Sequence, residues 1–339
     1  MLKVSIIIPV YNVMDVLDKT IKNILKQTYK NIEIILVDNN SKDDSFKYIK
    51  ELEKKDNRVK ALKEEKQGPN YARKTGFLNA TGDYILFCDS DDYLKEDAIH
   101  NFVKEIEKSN ADVVIGNYIE ISEKREVIKT KKGVFFNKDI DNLKSKKELL
   151  FVKPALWNKI FKKDLIKEEF FIESKIGEDM VITLSAIMLS EKVKYIDKDI
   201  YEYVISDDGL SNSVTARNLL DIIITADQLK SISKKNKVYD EYREEIEFVI
   251  FSHIIYKILR TVMMDSKDER NRVYNELRNY LIKNNEYKKN KYYKKKIHYR
   301  IANFILMKES IYKLGTTQFL LKQIFTNKIL YNIFKKLDM

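Results

Sequence analysis

Two aspartates that could hold a metal ion stand directly after an apolar segment, in the motif Asp89-Ser90-Asp91, and Asp92 follows them. The segment 84–88 is predicted to be a buried strand, so these carboxylates leave the sheet together and can turn toward one edge. Mg²⁺ and Mn²⁺ prefer hard oxygen ligands, typically one or two carboxylates together with substrate phosphates. A second D-x-D, Asp197-Lys198-Asp199, is predicted to be a turn between two short strands. The sequence therefore favours the first motif as a metal site.

Asp38 and Arg73 are further candidates, each with an alternative interpretation. Asp38 ends the apolar run 32–37, where it could form an Asx-turn or a helix N-cap. Ser41 and Asp44 already provide a start similar to a capping box, which leaves Asp38 free to bind a base or ribose. Arg73 is either a solvated helix residue or a hydrogen-bond donor to the acidic residues or to a phosphate.

The acidic pair Glu178 and Asp179 follows Gly177 at the start of a predicted helix. Acidic residues in a first turn stabilise the helix by about 0.3–1 kcal/mol each, which is one reason for such a pair. The other is a general base directed into a cleft. Trp157, the only tryptophan, is either a core residue or an apolar platform for the flat face of a sugar.

The first 120 residues alternate short β-branched runs with amphipathic helical stretches. Strands are predicted at 3–10, 32–37, 59–63, 84–88 and 111–118, with helices near 14–27, 43–55, 70–80 and 95–108. Such alternation indicates an α/β fold with a mostly parallel sheet flanked by helices, and ligands bind such sheets beyond the carboxyl ends of their strands. From about 215 the β pattern ends, and an i, i+4 apolar stripe from Ile246 to Val262 predicts an α-helical C-terminal region.

Two common phosphate-binding loops are missing from this sequence. No G-x-G-x-x-G follows the first predicted strand and no G-x-x-x-x-G-K-[ST] occurs, which speaks against a dinucleotide oxidoreductase and a P-loop NTPase. A phosphorylated ligand would need another device, such as a divalent cation. The single cysteine, Cys88, excludes an intramolecular disulfide framework and a four-cysteine zinc site.

The ordered set of motifs resembles glycosyltransferase family 2, the inverting enzymes of GT-A fold, and in particular bacterial polysaccharide-assembly members. The resemblance covers about residues 3–210. It consists of 5–12, 37–45, Gly68, Ala72-Arg73, Gly76, 80–92, Trp157-Asn158-Lys159 and Glu178-Asp179.

The resemblance implies a role for each candidate residue. The nucleotide-binding residues would be Pro9, Tyr11, Asp38, Arg73 and Asp89, and Asp91 would bind a Mg²⁺ or Mn²⁺ ion. Asp179 would be the catalytic base, with Glu178 as its neighbour. Trp157 and Asn158 would line the acceptor side.

The implied activity is a metal-dependent inverting transfer, of hexosyltransferase type. The sugar would pass from a nucleotide-sugar, which we expect to be a UDP-sugar, to a hydroxyl of a glycan or lipid-linked glycan. The Q-x-x-R-W signature of processive synthases is absent, so we expect one sugar per encounter. The alternative is a non-catalytic nucleotide-sugar or glycan-binding module with a degenerate site. One departure from the family is Asn39-Asn40 in place of Asp-Gly; asparagine tolerates the left-handed conformation, so the turn can survive.

At 339 residues the chain is long enough for about two domains. We assign 1–214 to a GT-A glycosyltransferase domain, with 1–120 as its nucleotide-binding half and 121–214 as its acceptor half. Residues 215–339 form a helical C-terminal region that ends in a basic amphipathic tail, 280–339.

The tail carries all of the excess positive charge. It holds 14 Lys and Arg against 3 Asp and Glu, and the chain as a whole has a net charge of +11. Tyrosines lie among the lysines and apolar runs follow at 301–307 and 319–334, a composition typical of an interfacial membrane helix. A solvated helical face is the alternative. No nucleic acid is expected as a partner, because 1–279 is neutral.

No signal peptide or membrane-spanning segment is evident in the sequence. We therefore expect a cytoplasmic protein whose basic tail can contact the anionic inner face of the cell membrane.

Overall fold

The computed structural model describes residues 1–133, 143–174, 177–205 and 214–326. The chain divides into two compact units, Met1–Gly209 and Leu210–Met339. The assignment of 1–120 and 121–214 to a nucleotide-binding half and an acceptor half stays a prediction.

The first unit begins with a parallel sheet built as the sequence predicts. Its elements are β1 Val4–Val10, α1 Met14–Leu25, β2 Ile32–Asp38, α2 Ser45–Lys55, β3 Val59–Lys63, α3 Pro69–Leu78 and β4 Tyr84–Phe87. Strand β1 lies between β2 and β4, with β3 outside β2, and all of these pairs are parallel. Strands β1 and β4 are almost wholly buried, which is why they carry apolar runs without alternation.

The sheet continues in mixed orientation. The further elements are β5 Tyr93–Leu94, α4 Ala98–Ser109, β6 Val113–Ile121, β7 Val127–Lys131, α5 Leu143–Leu149, β8 Lys159–Lys162, α6 Glu178–Leu189 and β9 Val193–Val204. Within the described residues the sheet has nine strands in the order β3-β2-β1-β4-β8-β6-β9-β5, with β7 beside β6. Strand β8 is antiparallel to both of its neighbours, and β9 is parallel to β6. The sequence did not predict the short strands β5, β7 and β8.

The predicted turn at Asp197-Lys198-Asp199 is wrong. Strand β9 is continuous from Val193 to Val204, and its register with β6 shifts between Tyr195 and Asp199. The extra residues form a bulge, and a bulged strand can mimic two strands and a turn in sequence. Asn117 of β6 stabilises the bulge, because its side-chain amide donates to Asp197 Oδ1 over 2.9 Å.

Helix α3 packs closely on the centre of the sheet, and Gly76 makes this possible. A Cβ atom added at Gly76 would lie 2.4 Å from Ile7 Cγ2 of β1. Arg73 lies about one turn earlier on the same helix, so this close approach places it beside the carboxyl end of the parallel strands.

The described part of the second unit is helical, as predicted. Its helices are α7 Ala216–Lys235, α8 Tyr239–Arg260, α9 Lys267–Lys283, α10 Lys291–Lys295, α11 Ile297–Met307, α12 Glu309–Tyr312 and α13 Gly315–Thr326. The predicted stripe from Ile246 to Val262 is buried, where α8 packs against α7 and α9. None of the helices in the described ranges combines the length and the apolar character that crossing a bilayer requires.

Candidate active site

Several candidate carboxylates lie along the carboxyl edge of the parallel strands. Asp38 ends β2 and pairs in register with Val10 of β1. On the other side of β1, Phe87 of β4 pairs with Ile7, so Ser90 is expected to lie level with Val10. Neighbouring strands are about 4.8 Å apart, which puts Asp38 and the Asp89–Asp92 loop roughly 10 Å from each other along this edge.

Arg73 joins this edge to the start of helix α6. Its side chain is buried, at 8% exposure, and Nη2 donates to Asp89 Oδ1 over 2.9 Å. Nη1 forms an ion pair with Glu178 Oε1. Burial acts to lower the pKa of Arg73, but the charges of Asp89, Glu178 and Asp179 outweigh it and raise that pKa. A solvated Arg73 is therefore excluded, and the guanidinium connects three separate elements.

The acidic pair at the start of α6 consists of a buried residue that is paired with Arg73 and a half-buried residue. Glycine at 177 has φ of +103°, a left-handed conformation that directs the chain into α6. Glu178 is buried against Arg73; burial and the Asp179 charge act to raise the pKa of Glu178, whereas the Arg73 charge acts to lower it. Asp179 is only half-buried. Desolvation raises the pKa of Asp179, although the opposing charge of Arg73 limits the effect. A raised pKa and partial exposure suit Asp179 to take up a proton.

Asp38 has one oxygen engaged and one without a partner. The side chain is 1% exposed, and Oδ2 accepts from the Ser41 amide, three residues on, over 3.3 Å. Its buried Oδ1 has no hydrogen-bond partner in the described part of the chain. Such an oxygen costs about 1–3 kcal/mol unless a ligand supplies a donor, so Asp38 can both shape its turn and bind a ligand.

The predicted capping of α2 by Ser41 and Asp44 is wrong. Asp44 is the N-cap residue but makes no side-chain cap bond, and Ser41 Oγ accepts from the Asn12 amide instead. The bond to Asp38 Oδ2 and the bond to Asn12 hold Ser41 in the loop that follows Asp38. Long-range contacts therefore replace the local cap that the sequence spacing suggests.

The two asparagines that depart from the family pattern keep the turn intact. Asn40 has φ of +67°, the left-handed conformation that asparagine tolerates. The Asn39 side chain accepts from the Gly68 amide over 2.6 Å and donates to the Lys66 carbonyl over 2.8 Å. It thereby ties the end of β2 to the start of α3. Pro9 lies in β1 next to this turn, and Tyr11, just after β1, is 42% exposed.

Asp92 does not join the metal candidates, because its carboxylate is fully engaged in the core. Tyr201 of β9 donates to Asp92 Oδ2 over 2.8 Å, and the Val204 amide donates to Oδ1 over 2.7 Å. The Tyr201 hydroxyl also accepts from the Asp89 amide over 3.1 Å. Sequence reasoning missed Tyr201, since nothing local distinguishes it from the other tyrosines of the chain.

Trp157 lies inside an aromatic cluster. It is 6% exposed, and its ring stacks on Tyr201 and Tyr203 with centroids 4.5 and 5.5 Å apart. The Lys153 ammonium lies 4.7 Å from the Trp157 ring centroid and 4.8 Å from that of Tyr118. Trp157 is thus a core residue, and the Lys153 ammonium lies against its ring. Its role toward an acceptor stays a prediction.

Lys159, which follows Trp157-Asn158, holds the loop in place from within. Its Nζ donates to the carbonyls of Lys153 and Ala155 over 3.0 and 2.7 Å, and to Asn158 Oδ1 over 2.7 Å. Burial lowers the pKa of Lys159 to about 7, whereas the charge of Asp179 acts to raise it. Three acceptors match the three N–H groups of an ammonium. Asn158 itself is buried and donates to the Gly116 carbonyl, so its observed contacts are structural.

The Asp89–Asp92 loop fits a divalent cation that is shared with a ligand. Asp91 is exposed to solvent, yet nearby protein atoms and the Asp89 charge raise the pKa of Asp91. A cation at this position would relieve that repulsion. Among the described residues no group of three or more His, Cys, Asp or Glu side chains could hold a metal ion. Mg²⁺ and Mn²⁺ sites of one or two carboxylates are completed by substrate phosphates and water.

The model of the protein family described as "Glycosyl transferase family 2" matches residues 5–170. This range contains Asp38, Arg73, Asp89 and Asp91 in the order described above. The chain belongs to glycosyltransferase family 2. Its named relatives include glycosyltransferases.

Two relatives of this family 2 glycosyltransferase illustrate the similarity. Glycosyltransferase GlyA of Streptococcus pneumoniae is 35% identical over 224 residues, which cover 63% of this chain and 32% of GlyA. The GalNAc(5)-diNAcBac-PP-undecaprenol beta-1,3-glucosyltransferase of Campylobacter jejuni is 34% identical over 199 residues, covering 58% of this chain and 62% of the relative. The chain thus spans less than two thirds of the length of either relative.

The fold is shared with a solved glycosyltransferase structure. The crystal structure of S. aureus TarS 1–349 in complex with UDP matches with a TM-score of 0.54 at 18% identity, covering 76% of this chain and 80% of that chain. Together with the sheet order and the flanking helices, this similarity confirms the predicted GT-A fold.

Proposed function

We propose that this glycosyltransferase moves a hexose from a UDP-sugar to a hydroxyl group of a glycan, with inversion and with the help of Mg²⁺ or Mn²⁺. The observation that carries the proposal is the buried Arg73, which contacts Asp89 and Glu178 at the same time. This bridge brings the loop after β4 next to the start of α6, so Asp179 lies beside the D-x-D motif.

The nucleoside would bind at the edge formed by β1 and β2. The buried Asp38 Oδ1 lacks a hydrogen-bond donor among the described residues. The N3–H group of uracil could donate a hydrogen bond to this oxygen. Pro9 and the exposed Tyr11 border the same edge. TarS, which shares the fold, was solved with UDP, and this supports UDP as the nucleotide.

The diphosphate would lie over the Asp89–Asp92 loop, where Asp91 and Asp89 are the residues that would hold Mg²⁺ or Mn²⁺. When bound, such a cation neutralises the negative charge that develops on the leaving diphosphate. Arg73 is already paired with Asp89 and Glu178, so we assign it to positioning these carboxylates. Its influence on the nucleotide then passes through Asp89.

The transfer itself needs one proton acceptor, and Asp179 is the accessible carboxylate of its pair. As the acceptor hydroxyl oxygen bonds to the anomeric carbon, the bond from that carbon to the diphosphate oxygen breaks, through an oxocarbenium-like transition state. The hydroxyl proton passes to Asp179, while Glu178 remains paired with Arg73. Attack from the face opposite the leaving group inverts the anomeric configuration in a single step.

A donor screen tests this function directly. Release of the nucleotide from UDP-, GDP- and dTDP-sugars is measured with and without Mn²⁺, and we expect UDP-sugars to be turned over only with the metal. Release of the nucleotide from GDP- or dTDP-sugars alone would contradict the assignment of uracil as the nucleobase. Calorimetric binding of UDP without any turnover would instead support the non-catalytic binding module.

The acceptor would be a lipid-linked glycan, because the second unit presents an apolar and basic surface. Among the described residues, five of the thirteen exposed large apolar side chains lie between 301 and 320: Ile301, Phe304, Leu314, Phe319 and Leu320. We call this set the α11–α13 surface. The described residues 280–326 hold 11 Lys and Arg against 2 Asp and Glu, which suits an anionic bilayer. The Campylobacter relative is named for an undecaprenol-linked substrate. Residues 327–339 of the predicted tail lie outside the described residues.

Vesicle flotation tests the α11–α13 surface. We expect the full chain to float with phosphatidylglycerol vesicles and to remain behind with phosphatidylcholine vesicles, because the surface combines apolar contact with positive charge. The double variant Phe304→Ser/Phe319→Ser should lose most of this flotation. Leu78→Ser, which changes an equally exposed apolar residue of the first unit, is the matched control. Equal flotation of the double variant and the control would contradict membrane docking.

A further inference from the structure

We propose that Tyr201 is a positioning residue for the metal-binding loop, which it fixes through both ends of Asp89–Asp92. This inference rests on the proposed function, because it takes Asp91 as the metal-binding residue. It adds a residue of β9, three strands away from β4 in the sheet, to the residues that act in sugar transfer. Tyr201 touches neither of the reacting groups in this proposal, and it acts through the loop alone.

The Tyr201 hydroxyl makes two hydrogen bonds with opposite roles to the Asp89–Asp92 loop, and it also accepts from the Cys88 thiol over 3.9 Å. It donates to Asp92 Oδ2 over 2.8 Å and accepts from the Asp89 amide over 3.1 Å. One phenol hydroxyl can do both. The residue is fully buried, so water does not replace either partner. The first and last residues of the four-residue loop are therefore tied to a single oxygen atom.

Neighbouring contacts make this anchor rigid. Val204, three residues further along β9, donates its amide to Asp92 Oδ1 over 2.7 Å. The Tyr201 ring stacks on Trp157, with planes 12° apart and centroids 4.5 Å apart. Tyr201 thus has few alternative positions, and its hydrogen bonds restrict the positions of the Asp89–Asp92 loop as well.

Asp91 depends on this anchor because its own side chain is exposed. Its direction is set by the backbone of the loop, which is held at Asp89 and Asp92. Mg²⁺ tolerates little deviation from octahedral geometry, and a misplaced ligand weakens binding. Loss of the Tyr201 hydroxyl should therefore appear first as weaker binding of metal and nucleotide together.

A purely structural role for Tyr201 predicts something different. The hydroxyl would then only satisfy buried polar groups, and its removal would lower stability without changing the metal dependence. Tyr195 of the same strand allows the comparison. It is also buried, and its hydroxyl donates one hydrogen that is shared between Asn117 Oδ1, 2.8 Å away, and Asp197 Oδ1, 2.9 Å away.

The experiment compares Tyr201→Phe with Tyr195→Phe in the full chain. UDP binding is measured by calorimetry across a series of Mn²⁺ concentrations, and thermal unfolding is recorded for each variant. We expect Tyr201→Phe to raise the Mn²⁺ concentration for half-maximal UDP binding by about tenfold, since two hydrogen bonds to the loop are lost. Saturating Mn²⁺ should restore most of the transfer rate. Tyr195→Phe should lower the unfolding temperature similarly and leave the Mn²⁺ dependence unchanged.

The outcomes separate this inference from the proposed function. Wild-type protein that binds no UDP at any Mn²⁺ concentration would remove the proposed function, and the inference with it. Wild-type binding together with an unchanged Mn²⁺ dependence in Tyr201→Phe would overturn the inference alone. If Tyr201→Phe does not fold, Asp92→Ala takes its place. Alanine removes the acceptor of both the Tyr201 and the Val204 bond, so the same Mn²⁺ shift is expected, and its absence would count equally against Tyr201.

Discussion

Asp179→Asn is expected to lower the rate of sugar transfer by about 10²–10⁴-fold, the usual contribution of a general base. An asparagine has nearly the same shape but cannot take up the proton of the acceptor hydroxyl. The variant keeps the ion pair between Glu178 and Arg73 that holds the start of α6. UDP binding should therefore stay close to the wild-type value.

The measurement is kcat from UDP release with a glycan acceptor, with calorimetric binding of UDP beside it. Asp199→Asn, in the D-x-D of the β9 bulge, is the control and should retain full activity. Full turnover by Asp179→Asn would remove the base assignment.

The pH profile gives a second readout of the same assignment. Asp179 must be deprotonated to act, and desolvation raises the pKa of Asp179 from its ordinary value. Activity is therefore expected to fall as pH decreases through that raised pKa, and this acidic limb should be missing from the residual rate of Asp179→Asn.

Asp91→Ala is expected to lower transfer by about 10²–10³-fold, because the developing charge of the leaving diphosphate would lose its counter-charge. The loss should begin at binding: UDP titrations should no longer respond to Mn²⁺. Asp91 is exposed, so its truncation should change the free energy of unfolding by no more than about 0.5 kcal/mol.

Calorimetry with and without Mn²⁺, together with thermal unfolding, checks these expectations. Asp199→Ala provides the control, since it removes an aspartate from a D-x-D that lies in a strand. Persistent Mn²⁺-dependent UDP binding in Asp91→Ala would show that the metal is held elsewhere, and the proposed position of the diphosphate would then be wrong.

The order of strands and helices in the first 120 residues could be predicted because each element carries its own period. A doubly covered strand such as β1 needs a continuous apolar run, and the helices between the strands need one apolar face. The segments that escaped prediction are short or irregular. Strand β5 has two residues, and the β9 bulge at Asp197–Asp199 resembles a turn in local composition.

The candidate site was only partly visible in the same way. Asp38, Asp89, Asp91 and Asp179 could be chosen from their positions at the ends of strands or at the start of a helix. The individual pairings could not be predicted, because Arg73 and Glu178 are 105 residues apart and Tyr201 and Asp92 are 109 apart. No local pattern links residues at such separations.

The amino-acid sequence by itself determined the α/β class, the family and the acidic residues at the strand ends, since these follow from local periodicity and from ordered motifs. Tertiary structure alone decided which of these carboxylates are already engaged. It pairs Glu178 with Arg73 and Asp92 with Tyr201, and it leaves Asp91 exposed and Asp179 half-buried. The physical reason is desolvation: a buried polar group must find a partner, and packing decides which partner lies within reach.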